Sequence, residues 1–72
     1  MDASQTVSIV VNGEAKEAPK GVTVGQLLGV LGLAAGRVAI ERNLEILPRS
    51  DWSVTPVVAG DRYEIVQFVG GG

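Results

Sequence analysis

VSIVVNGEAKEAPKGVTVGQLLGVLGL, residues 7–33, carries two structural signals back to back, and their order decides the fold. Val7, Ile9 and Val11 alternate with Ser8 and Val10, the two-residue period of a half-buried strand. Asn12-Gly13 follows, a dipeptide whose residues both accept positive φ, so the chain reverses in a tight hairpin. The returning strand, around Ala15 to Ala18, is short and polar, as an edge strand tends to be. A helix signal comes next. Thr23 with Gln26 three residues on fits a capping box, in which each side chain satisfies a backbone N–H of the first turn. Val24, Leu27, Leu28 and Leu31 fall on one helical face. Gly32 stands where a C-terminal glycine belongs, with Leu33 placed to close over the last turn. The spacing predicts one helix of about three turns. Gly25 and Gly29 weaken it by up to about 1 kcal/mol each; their spacing of four marks either close backbone approach or tolerance on an exposed face, and the second is the simpler reading.

Beyond the helix, RVAIERN (residues 37–43) reads as a strand with Val38 and Ile40 facing inward. Asn43-Leu44-Glu45 turns it into a short strand near Ile46-Leu47, which Pro48 ends. RSDWSVTPVVAGD (residues 49–61) is mostly loop, with Ser50-Asp51 able to start a single helical turn. A lone Trp52 reads as packing over the edge of a small core rather than as a binding anchor. Gly60-Asp61 turns the chain into a last strand, RYEIVQFV. Hairpin, helix, two strands and a final strand give an α+β domain: a mixed sheet of four to five strands with one main helix across it. With the first and last strands central and parallel, this is the β-grasp arrangement. The expected core is Val7, Ile9, Val11, Leu27, Leu28, Leu31, Val38, Ile40, Tyr63 and Ile65, in a single domain over residues 1–72 with 69–72 as a flexible tail.

Composition narrows the function. A chain of 72 residues builds a small core, which rarely supplies more than about 3–5 kcal/mol. With no cysteine and no histidine, disulfides and His/Cys metal sites are excluded. The net charge is −2, and the six basic residues (Lys16, Lys20, Arg37, Arg42, Arg49, Arg62) are scattered, which argues against nucleic acid as a partner. No apolar run is long enough to span a bilayer, and MDASQT lacks the basic and apolar regions of a signal peptide. A soluble cytoplasmic protein is the expectation. Nothing activates the serines or threonines in a triad or dyad, and no carboxylate pair has a recognisable spacing, so independent catalysis is not expected.

One group remains distinctive, the α-carboxylate of Gly72 at the end of FVGGG. A carboxylate is inert until its oxygen becomes a leaving group, for instance by adenylylation with ATP. Three glycines reach at most about 10 Å, and without side chains they fit a narrow channel. In the strand before them, Tyr63 and Ile65 share one face, and Arg62, Glu64, Val66 and Phe68 the other. Val66 and Phe68 therefore sit on a face that Arg62 and Glu64 mark as solvated. Together with Val10 on the first strand and Val69 at the root of the tail, they are the expected partner-docking residues. The alternative is that they pack under a loop or that the strand is bulged.

VNGE (residues 11–14), TVGQLL (23–28), RVAIERNLEILPRSDW (37–52) and AGDRYEIVQFVGGG (59–72) together resemble the ThiS family, the ubiquitin-like sulfur carriers of thiamin thiazole biosynthesis. The resemblance covers nearly the whole chain after Gln5. Its departures are a slightly long N-terminus, Met1 to Gln5, and Gly70, a third glycine before the family's terminal pair at Gly71 and Gly72. The resemblance implies that the chain binds no cofactor itself and that a ThiF-like adenylyltransferase activates Gly72 with ATP. A persulfide donor's sulfur then displaces AMP, and the thiocarboxylate supplies a ThiG-like thiazole synthase. The small subunit of molybdopterin synthase is the nearest alternative, although such subunits usually approach their Gly-Gly through a proline. A ubiquitin-like protein modifier and an interaction domain with a glycine linker also stand.

Overall fold

The hairpin closes where Asn12-Gly13 dictates. In the computed structural model, which describes residues 5–68, Asn12 and Gly13 have φ of 52° and 83°. They join β1 (Thr6–Val11) to β2 (Glu14–Pro19) in antiparallel register, Val11 opposite Glu14. Positive φ at both turn residues matches the right-handed twist of the strands on either side. β2 is an edge strand, with only Ala18 buried.

The helix α1 (Val24–Val30) starts on the capping box: Gln26 N–H donates to Thr23 Oγ1 at 3.2 Å, and Thr23 N–H donates to Gln26 Oε1 at 2.9 Å. The next donors of its first turn find partners far along the chain. Val24 N–H donates to the Thr55 carbonyl at 2.8 Å and Gly25 N–H to the Trp52 carbonyl at 3.0 Å. A helix start leaves these groups without intrahelical acceptors, so the loop from Trp52 to Val57 caps α1 as the side chains do. Gly25 thus lies against the Trp52 backbone, whereas Gly29 faces open space. Seven residues make two turns, not the three that the periodicity suggests. The cause is the C-terminal motif: Gly32, at φ 75°, donates to the Gly29 carbonyl and Leu33 to the Leu28 carbonyl, closing the helix at Leu31.

A short 3-10 turn at Ala35–Arg37, without a strong sequence signal, leads into β3 (Val38–Arg42). β4 (Glu45–Leu47) pairs antiparallel with it, and a 3-10 turn at Arg49–Asp51 follows Pro48. The last strand, β5 (Arg62–Gln67), runs parallel to β1 and antiparallel to β3. The strand order is β2-β1-β5-β3-β4, which makes β5 the middle of a five-stranded mixed sheet, the β-grasp topology.

The sheet buries Ile9, Val11, Ala18, Val38, Ile40, Tyr63 and Ile65 together with Val24, Leu27 and Leu28 of α1. Val7 and Leu31 are only half-buried at its margin. Trp52 packs into the core from the loop, as its sequence reading expects, and Val57 joins it, a contribution that loop composition does not reveal. The Trp52 indole N–H donates to the Leu47 carbonyl at 3.0 Å, and Arg49 lies over its ring, 4.9 Å from the centroid. Among the described residues, no buried side-chain nitrogen or oxygen lacks a partner.

Candidate functional site

The end of β5 is built differently from its start. The ladder to β1 covers only Val10–Arg62 and Val11–Tyr63, because β1 then turns away at Asn12. The Asn12 side chain takes over: its Oδ1 accepts from Ile65 N–H at 2.7 Å, and its Nδ2 donates to the Ile65 carbonyl at 3.1 Å. One side-chain amide thereby satisfies both backbone groups of Ile65, as a further strand residue would. On the other flank β3 pairs with β5 as far as Val38–Gln67, and Phe68 N–H donates to the Arg37 carbonyl at 2.8 Å. The segment that leads to the glycines is thus held by β3 on one side and pinned by Asn12 just before it.

The outer sheet face, opposite α1, presents Val66 at 56% exposure and Phe68 at 57%. Ala39 lies opposite Val66 on β3, and Ile46 of β4, opposite Glu41, is 69% exposed. Val10 shares the face but not the patch. Its register partner is Arg62, about 13 Å along β5 from Val66, and it is half-buried. The contiguous apolar neighbours of Val66 are therefore Ala39 and Ile46 rather than Val10, because the parallel register of β1 and β5 places Val10 at the far end. Val69, Gly70, Gly71 and Gly72 lie outside the described residues. A shallow groove of about 230 Å³ runs over Ala39, Ile40, Glu41, Ile46, Glu64 and Val66. Glu41 and Glu64 stand directly opposite each other in it, and neither makes an ion pair within 4.0 Å among the described residues. On the β1–β2 side of the face, Thr6 and Ser8 hydroxyls donate to the Glu17 carboxylate.

At the other end of β5, Asp61 is a buried acceptor, 5% exposed. It receives Tyr63 O–H at 2.8 Å, Val58 N–H at 2.9 Å, Arg42 Nε at 3.1 Å and Asn43 Nδ2 at 3.2 Å. Burial alone raises a carboxyl pKa; here the donors and the Arg42 charge outweigh it and hold Asp61 below the usual carboxylate range. Burial and the bond to Asp61 push the Tyr63 phenol up to about 12. Every group in this cluster is satisfied from within the chain, so it ties the β3–β4 turn to the start of β5 and leaves no open valence for a ligand. Among the described residues, no group of three or more acidic, His or Cys side chains is placed to hold a metal ion. No helix among them is long and apolar enough to cross a membrane.

Comparison with known proteins agrees on a family. The chain is 47% identical over 66 residues to a thiazole synthase of Paramagnetospirillum magneticum, a match covering 92% of this chain and 20% of the relative. It therefore spans about a fifth of that protein's length. It is 33% identical over 69 residues to the uncharacterized protein ycf40 of Porphyra purpurea, covering 96% of this chain and 97% of the relative. The fold superposes with a TM-score of 0.78 on the crystal structure of the thiamine biosynthesis protein ThiS from Geobacter metallireducens, at 35% identity over 92% of this chain and all of the other. The ThiS family model itself matches residues 9–72, from the middle of β1 through the glycine run, and the chain belongs to the ThiS family.

Proposed function

We propose that this chain is a sulfur carrier whose working group is the α-carboxylate of Gly72. The observation that carries the reading is the family match through Gly71 and Gly72, which follow the middle strand of the sheet in sequence. A ThiF-like adenylyltransferase joins the carboxylate oxygen to the α-phosphorus of ATP and releases pyrophosphate. The terminal sulfur of a donor persulfide then attacks the activated carbonyl and expels AMP, giving an acyl disulfide; a second thiol attacks the donor's sulfur, forms a disulfide with it and releases the thiocarboxylate. That sulfur passes to the thiazole ring at a ThiG-like thiazole synthase; relatives of that name contain a region similar to this chain. The chain catalyses none of these steps and holds no cofactor; ATP belongs to the activating partner. It supplies a carboxylate on a narrow arm and an outer face beside the arm's root, with Val66 and Phe68 available for docking.

The test is mass spectrometry of the full chain after incubation with the adenylyltransferase, ATP and a sulfur source. The expected gain equals replacement of one oxygen by sulfur, and fragmentation places it on Gly72. Gly71→Val stiffens and widens the arm with a β-branched side chain. Deleting Gly72 draws the carboxylate back by about 3.3–3.6 Å, beyond the tolerance of an in-line attack. Both changes abolish conversion and leave the unfolding transition unmoved. Sulfur on another residue, or equal conversion of the shortened chain, overturns the reading.

A further inference from the structure

The chain has two asparagines, and both stand at φ 52° in hairpin turns with their side chains bonded to distant groups. Asn43 Oδ1 accepts from Arg62 N–H at 3.0 Å and its Nδ2 donates to Asp61 at 3.2 Å; Asn12 clamps both backbone groups of Ile65. What separates the two is the residue that follows. Leu44 carries a side chain beside the nitrogen that joins it to Asn43, whereas Gly13 carries none. The space around Gly13 is open and the residue is exposed. Its N–H meets no acceptor among the described residues. An exposed, unbonded amide N–H can lose its proton to a solvent base. The nitrogen so formed closes a five-membered ring when it reaches Asn12 Cγ.

We propose that Asn12-Gly13 is a self-modification site, at which the asparagine deamidates through a succinimide at a rate set by how often its clamp on Ile65 opens. The inference is independent of the carrier reading. The Gly13 nitrogen gives its proton to hydroxide and bonds to Asn12 Cγ; the Cγ–Nδ2 bond breaks, and Nδ2 leaves as ammonia with a proton from water. Water then opens the ring at either carbonyl, leaving aspartate at position 12 or its isomer linked through the side chain. One amide and one water become one carboxylic acid and one ammonia, with no oxidant or reductant. The fold opposes the first step. Ring closure draws Cγ to bonding distance of the Gly13 nitrogen, and the bonds of 2.7 and 3.1 Å to Ile65 do not survive that movement. Opening two hydrogen bonds of ordinary net strength slows the reaction by about 5–150-fold. The product cannot close the clamp again: a carboxylate accepts from Ile65 N–H but sets a second acceptor against the Ile65 carbonyl. A transient opening beside the end of β5 is thereby made permanent.

The experiment incubates the full chain at mildly alkaline pH, native and unfolded in urea, and follows intact mass, with fragmentation to place each change. The expected gain equals replacement of NH2 by OH, and it falls on Asn12 as a mixture of aspartate and isoaspartate. It proceeds about 5–150-fold faster in urea than in the native chain. Asn43 stays unmodified while Asn12 converts. Exchange of the Ile65 amide in the native chain is slowed by a similar factor, because the same opening frees its N–H. Asn12→Asp shows no gain at this position. Equal rates in the two solvents overturn the proposal, since the clamp then gates nothing. It is overturned equally by conversion of Asn43 ahead of Asn12, or by the absence of any gain at Asn12 in urea.

Discussion

Replacing Asn12 by glycine separates two tasks that the residue performs. Its backbone occupies φ 52°, a conformation glycine adopts freely, so the variant keeps the turn. What it loses is the pair of hydrogen bonds to Ile65, at 2.7 and 3.1 Å. Each contributes about 0.5–1.5 kcal/mol net, giving a loss of about 1–3 kcal/mol. In a domain of this size, whose core supplies about 3–5 kcal/mol, that is a large share of the total. The thermal midpoint should fall by about 4–24 °C, at about 4–8 °C per kcal/mol. Trp52, the one tryptophan and a buried one, makes fluorescence in urea a direct readout. Amide exchange at Ile65 should quicken more than at Leu31, whose N–H bonds to the Leu27 carbonyl at the end of α1. Asn12→Asp adds a second test: the carboxylate still accepts from Ile65 N–H but opposes its carbonyl, so this variant is weaker at neutral pH than in acid, where a protonated Asp donates again. An Asn12→Gly protein that unfolds at the wild-type urea concentration, with Ile65 exchange unaltered, refutes the clamp.

Three further outcomes follow from the packing and the buried charge. Leu28→Ala should cost about 2–5 kcal/mol because Leu28 is buried, and Leu31→Ala clearly less because Leu31 is half-buried; equal urea midpoints for the two would reject the burial assignment. Asp61 has a folded pKa below its unfolded value, so the stability it contributes is fully present above about pH 4 and is lost as pH falls through the folded value. Asp61→Asn should therefore be less stable than wild type at pH 7, with the gap narrowing on acidification; a gap independent of pH from 7 to 2 contradicts the sign. Leu44 holds φ 73° while 89% exposed, a conformation that disfavours a side chain. Leu44→Gly should raise stability by up to about 1 kcal/mol, since relief of that strain is partly offset by the freedom glycine adds to the unfolded chain; a lower midpoint argues against strain at the turn.

What could be read from the sequence was what is decided within a few residues. The Asn12-Gly13 turn, the Thr23–Gln26 box, the Gly32 terminus and the in–out alternation of β5 all stand in the structure because each is a local steric or hydrogen-bonding choice. The features that escaped depend on distant partners. Asn12 announced a turn, but its amide bonds to Ile65 lie 53 residues away. Asp61 read as half of a turn with Gly60, and only the approach of Arg42, Asn43 and Tyr63 makes it a buried hub. Val57 joins the core because its loop returns over the start of α1, where its N–H meets the Val22 carbonyl at 2.9 Å. Val10 had the right parity but the wrong neighbour, since alternation says which face a side chain takes and nothing about how far two parallel strands are offset.

The place of β5 in the sheet has a consequence for biosynthesis. Without it, the strand order β2-β1-β5-β3-β4 falls into two separate hairpins that share no ladder. The strand that unites them is the last of the five to be translated, and α1 borrows its first-turn acceptors from residues 52 and 55, which also follow most of the sheet. A nascent chain halted before residue 62 therefore has no sheet to complete. At roughly 5–20 residues per second the ribosome delivers β5 and the glycine run within about a second of each other. A product terminated before β5 therefore lacks both the glycine run and the strand that would let it compete as a folded decoy for the same partners.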